Sequence, residues 1–275
     1  IMRNSIYLFI ISFNLSAIGF DAVNIFTSPS DLSLSGAGVA SKNSIYNNPA
    51  ISSNKNSTIC FSTNKWIQNF SGNSFFYSKN KFRLSFNSIG VDDIKVYNDT
   101  PSDSPLDIIG SHYLSFGLSK GFEINNFRIG IGSHFQYSQL FTEDLYGLTF
   151  DIGMRKIFSD NFRIGFLAKN LTYNNPEVPQ SYTAGLSYSN STINTELLVD
   201  YSYSSTYDKG IHIGIIQKIK IITINLGYSG YQSRTTLSSG LEININKNYT
   251  FLYSILSLQD SHLGLSHYFG IEISI

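Results

Sequence analysis

The chain has 275 residues, and its 19 basic and 19 acidic side chains cancel to a formal charge of +0, which removes the cationic footprint that a nucleic-acid partner requires. Charged residues supply only 14% of it and aromatic residues 15%, whereas a soluble domain averages roughly a quarter charged. Cys60 is the single cysteine and the five histidines are scattered without ligand spacing, so neither a disulfide framework nor a metal or cofactor site is expected.

In chain order, the first predicted element is a targeting segment. Arg3 precedes the apolar run from Ile6 to Phe20, too short to span a bilayer comfortably, with small residues at Ala17 and Gly19. Residues 1–19 therefore read as a secretory signal peptide cleaved after Gly19. Elsewhere no stretch approaches the ~20 consecutive apolar residues of a membrane helix, so membrane entry has to be as a barrel.

Residues 20–55 do not alternate. Gly36 and Gly38 permit close backbone approach, and Pro49 forces an extended conformation on Asn48. A barrel of the size deduced below encloses a lumen wider than its own side chains fill. The segment is accordingly expected to thread that lumen as a plug, with Gly36, Gly38, Asn47, Asn48, Pro49 and Ala50 as its motif residues.

From residue 56 to 275 one pattern repeats, about ten residues of alternating apolar and small or polar side chains ended by Asn, Asp, Ser or Gly. Period two means strands. In 145–155, Tyr146, Leu148, Phe150, Ile152 and Met154 share one face, against Gly147, Thr149, Asp151, Gly153 and Arg155 on the other. The oily face suits lipid and the glycine-rich face suits a crowded interior. On that interior face the pattern places Arg128, Asp151, Arg155, Arg163, Lys169, Glu242 and Glu272, as interstrand ion pairs, as plug contacts or as the lining of a pathway.

Short turns read at Asn80-Lys81, Asn125-Asn126, Asp160-Asn161, Asn190-Ser191, near Lys220 and at Lys247. Longer loops alternate with them, the largest over Val91 to Gly110 and Thr172 to Gln180. The expected fold is all-β, a transmembrane antiparallel β-barrel of about 14 strands with an N-terminal plug segment, placed in the bacterial outer membrane and surrounded by its lipid. The last strand ends at Ile275, and Tyr268, Gly270, Ile273 and Ile275 resemble the C-terminal signal read by the barrel assembly machinery. No G-x-S-x-G, H-E-x-x-H, Walker or Rossmann pattern occurs, so no enzyme is expected.

Several residues carry a family resemblance. Phe20, Asn24, Ile25 and Ser28, then Gly36 to Ala40, then Asn48, Pro49 and Ala50 resemble the mature N-terminus of the PorV/PorQ family, itself FadL-like. Asp92 to Val96 is weakly similar to an outer loop of that family. The chain departs from the pattern at Ser30-Asp31, where Ala-Arg is usual, and at Ile51-Ser52, where Gly-Leu is usual. The resemblance implies an accessory of type IX protein secretion and surface attachment, with loops 91–110 and 172–180 meeting secretion or surface-attachment proteins. The alternative is a FadL-like transporter of hydrophobic small molecules, whose mark is a cluster of inward apolar residues beside the plug; the alternation exposes few of these.

Overall fold

The computed structural model describes residues 23, 25, 27–42, 48–51, 57–66, 70–97, 104–140, 143–172, 178–232, 234–258 and 265–275. The signal segment and Asn47 lie outside them. A short helix, α1 (Pro29–Ser33), precedes fourteen strands among the described residues: β1 (Thr58–Lys65), β2 (Ser71–Lys79), β3 (Phe82–Val96), β4 (Asp107–Ile124), β5 (Phe127–Leu140), β6 (Glu143–Ile157), β7 (Phe162–Leu171), β8 (Ser181–Asn190), β9 (Thr195–Ser204), β10 (Asp208–Ile219), β11 (Ile222–Tyr231), β12 (Thr235–Asn244), β13 (Tyr249–Leu258) and β14 (Leu265–Ser274). Each pairs antiparallel with its successor, and β1 closes the ring on β14 from Thr58 opposite Ser274 to Lys65 opposite His267. Closure leaves no edge to be satisfied by lipid, which has no hydrogen bonds to offer.

Turn chemistry sets one rim. Asn80 and Lys81 sit at φ 50° and 64°, the left-handed pair of a two-residue hairpin turn, and Lys220 at φ 53° serves the β10–β11 connection. All six short turns lie at this end. An even strand number brings both ends of the barrel to the same rim, which is therefore periplasmic, while the longer loops face outward. Ten residues at 3.3 Å rise and a tilt near 40° cover about 25 Å, the height of the apolar band, which β7 to β9 match at 10 residues each.

β3 to β6 are taller, at 15, 18, 14 and 15 residues, and project beyond the band. Here the expected loop over 91–110 is corrected: β3 continues to Val96 and β4 resumes at Asp107, paired Val96 to Asp107. A register shift between Val91 and Ile94, with Asp93 at φ 63°, absorbs the Asp92-Asp93 pair as a bulge, so two polar residues bend the strand without ending it.

The wall alternates throughout its membrane zone. Along β6, Leu148 is 55% exposed and Phe150 48%, while Thr149 and Asp151, which alternate with them, are buried. Lipid wets the first face and the lumen encloses the second. The chain is an outer-membrane β-barrel.

Candidate functional site: the luminal segment and its cavities

Residues 27–42 and 48–51 lie against the inner wall. Ser28 caps α1, its hydroxyl accepting from the Asp31 amide at 3.1 Å, and Pro29 opens the helix where its missing N–H costs nothing. α1 packs on β11 to β14. There the Ser254 hydroxyl donates to Pro29 O at 2.6 Å, and the Asn225 amide donates to Ser33 Oγ and Glu242 Oε1, both at 3.0 Å.

Beyond α1 the chain runs through Gly36 (φ 80°) and Gly38 (φ 130°), conformations that L side chains rarely adopt. Wall side chains then take hold of its backbone. The Gly38 and Val39 amides both donate to Asp200 Oδ2, at 2.7 and 2.9 Å, and the Lys42 amide donates to Glu196 Oε1 at 2.8 Å. The Arg155 guanidinium donates to Ser41 O at 2.6 Å. His212 Nδ1 stands 2.9 Å from Ser35 O; a carbonyl only accepts, so this nitrogen carries the proton. Asn48 folds the segment onto itself, donating to Val39 O at 2.8 Å while its Oδ1 accepts from the Ala50 amide at 2.9 Å.

Glycines on the wall make room for this path. A methyl on Gly130 would overlap the Pro49–Ala50 backbone, one on Gly165 would overlap Val39, and one on Gly227 would overlap Leu34 and Ser35. The glycine-rich inner face thus supplies closeness to a second backbone.

Among the inward charges, Arg155 and Glu242 contact the segment, the latter also through the Ser30 hydroxyl at 3.2 Å. Others serve the wall itself. Arg128 pairs with Glu123 at 2.8 Å, Arg163 donates to Ser189 and Asp160 O, and Asp151 meets His134 at 3.1 Å and the Asn170 amide at 2.8 Å. Glu272 lies on the inner side of β14, opposite Thr250 of β13. On the same strand Tyr268 and Gly270 face inward, Tyr268 fully buried and Gly270 near Pro29, while Ile273 pairs with Ile59 and Tyr249, and Ile275 is exposed at the rim.

Lys169 stands apart, because it lines two adjoining cavities. The larger, about 180 Å³, is bounded by Val23, Ile25, Trp66, Leu167, Tyr207 and Tyr231, with Lys169, His212 and Arg234 among its polar groups. The smaller, about 70 Å³, lies beside Pro49, with Arg83, His134, Gln136 and Asp151 next to Phe76 and Tyr113. Val23, Thr27, Lys169 and Asn170 border both. Near Val23, the inward residues Ile89, Tyr113, Leu145 and Val178 form an apolar cluster, with Ile25 and Phe70 against it. The sequence reading misses these inward apolar residues, and it misses Asp200 and Glu196, the acids that hold the segment.

No protein-family model and no curated protein matches the chain. Solved structures do. The CymD monoaromatic hydrocarbon channel superposes with a TM-score of 0.66 at 12% identity, covering 93% of this chain and 98% of that one. The Ralstonia pickettii toluene transporter TbuX gives 0.65 at 12% identity over 95% and 99%, and a TodX monoaromatic hydrocarbon channel mutant gives 0.60 at 10% over 90% and 97%. The chain shares with them the fold of a closed antiparallel barrel. At such identities the likeness is one of fold alone, in architecture and strand arrangement.

Proposed function

We propose that the chain is an outer-membrane channel for small hydrophobic molecules, which enter from outside and lodge in the aromatic-lined cavity above the luminal segment. The cavity carries this reading. At about 180 Å³ it exceeds the ~150 Å³ of an engineered apolar cavity that holds benzene, and its lining sets Val23, Ile25, Trp66, Leu167, Tyr207 and Tyr231 against a polar side that includes Lys169, His212 and Arg234. The similar structures are themselves described as hydrocarbon channels or a toluene transporter. The secretion reading draws on the sequence resemblance and on the projecting β3–β6 hairpins, whose tips would meet a partner.

Trp66 is the only tryptophan and lines the cavity, so it reports on occupancy directly. Bromobenzene, a heavy-atom quencher of monoaromatic shape, should quench its fluorescence saturably in the detergent-solubilised barrel. In Thr183→Phe, which puts a ring into the same space, only the linear quenching caused by partition into the micelle should remain. Linear quenching in both proteins would refute the proposal.

A further inference from the structure

The periplasmic rim repeats one motif in successive turns. Lys79 of β2 and Lys120 of β4 both stand opposite Phe82 of β3 on the lipid side of the wall, which sets them two strand spacings, about 10 Å, apart. Lys156 lies over the exposed Phe158 ring at 4.9 Å. Lys220 is flanked by Ile219 and Ile221, each more than half exposed, and Lys247 lies between exposed Ile245 and Tyr249. That last turn is fixed, since Asn246 Oδ1 accepts from the amides of Asn248 and Tyr249 at 2.8 and 2.9 Å.

All five lysines are exposed, and none has a carboxylate within ion-pair distance among the described residues. Lys81, by contrast, is already neutralised by Glu123 at 3.0 Å. Large apolar residues next to or opposite each of these lysines place the turns at the lower boundary of the lipid band, where a lysine stem lies along hydrocarbon and its head reaches the phosphate layer; the Lys120 ammonium also donates to Asn80 O at 3.3 Å. The opposite rim has the reverse balance, with Asp92, Asp93, Asp107, Glu143, Asp144 and Asp208 against Lys65, Lys95, Lys209 and Arg234. A net charge of zero therefore conceals a barrel that is cationic at one end and acidic at the other.

We propose that Lys79, Lys120, Lys156, Lys220 and Lys247 form a cationic collar that binds the phosphates of anionic phospholipids in the periplasm-facing leaflet. Electron paramagnetic resonance of the full chain in phosphatidylcholine bilayers tests this, comparing spin-labelled phosphatidylglycerol with spin-labelled phosphatidylcholine at the protein boundary. Wild-type protein should select phosphatidylglycerol by about threefold at low salt, below the roughly fivefold that one fully engaged lysine gives at an anionic surface. The preference should vanish in the fivefold Lys→Gln variant and in high salt, and persist in the fivefold Lys→Arg variant. Should the Gln variant fail to insert, the salt response and the Arg variant still decide. Equal association of the two lipids with wild-type protein would overturn the proposal and point to an acidic periplasmic protein, and a preference that survives Lys→Gln would overturn it as well.

Discussion

Gly130→Ala should dislodge the luminal segment, whereas Gly132→Ala, two residues along the same face of β5, should leave it seated. At Gly130 the added carbon falls on the Pro49 carbonyl and the Ala50 nitrogen, backbone atoms that have no rotamer into which to retreat. The strand is equally fixed, since Gly130 is paired with Gly121 on one side and Gly153 on the other. Overpacking of this kind costs about 1–3 kcal/mol even where side chains adjust, and more against backbone. At Gly132 the nearest neighbour is the Ser119 Cβ at 3.3 Å, which yields by a few tenths of an ångström. Limited proteolysis of the folded barrel in micelles reads the difference: cleavage within residues 27–51 should be fast for Gly130→Ala and slow for both wild type and Gly132→Ala.

Asp200→Ala should have a comparable effect through chemistry in place of bulk. Its carboxylate is the acceptor for two successive amides, and the segment there is fully enclosed, with Val39 and Ala40 at 0% exposure. Removing the acceptor leaves both donors buried and unpaired, at about 1–3 kcal/mol each, or roughly 2–6 kcal/mol in all. A membrane barrel's wall survives such a loss because its ladder is untouched, so the cost falls on the seating of the segment. Hydrogen exchange at Gly38 and Val39 should accelerate in Asp200→Ala, and less so in Asp200→Asn, whose amide oxygen still accepts. Unchanged exchange in the alanine variant would mean that the carboxylate does not hold the segment.

The wall was legible in the sequence because lipid outside and tight packing inside impose opposite demands on successive residues. Turn residues such as Asn80-Lys81 and Asn125-Asn126 completed the strand count, since the left-handed backbones at Asn80, Lys81 and Asn125 suit the short hairpins of one rim. The extent of β3 and β4 was not legible. A pair of aspartates looks like the start of a loop, and only the cross-strand partner shows that it is a bulge.

Inward apolar residues left a weaker trace, in paired apolar residues that interrupt the alternation: Phe75-Phe76, Tyr113-Leu114, Leu145-Tyr146, Leu197-Leu198 and Tyr268-Phe269. In each pair one member faces lipid and the other, Phe76, Tyr113, Leu145, Leu198 or Tyr268, is buried in the lumen. Which member turns inward follows from the parity of the strand, so these doublets could have been used. The seat of the luminal segment had no comparable local sign. Asp200 binds Gly38 across 162 positions of sequence, and in its strand it alternates inward with Glu196, Leu198, Ser202 and Ser204, none of which marks it out. Arg155, also inward, proved to hold Ser41, yet Arg128 and Arg163, of the same type and parity, serve only wall contacts in the hydrogen bonds described above.

The central claim is that lipid wets one face of these strands and a filled lumen the other. A nitroxide scan along β6 tests it most directly, using single cysteines from Gly147 to Ile152 in a Cys60→Ser background and protein reconstituted in bilayers. Oxygen accessibility should peak at Leu148, Phe150 and Ile152 and fall at Gly147, Thr149 and Asp151, with a polar nickel complex excluded from the first set. Free access of the nickel complex to 148, 150 and 152 would contradict the account.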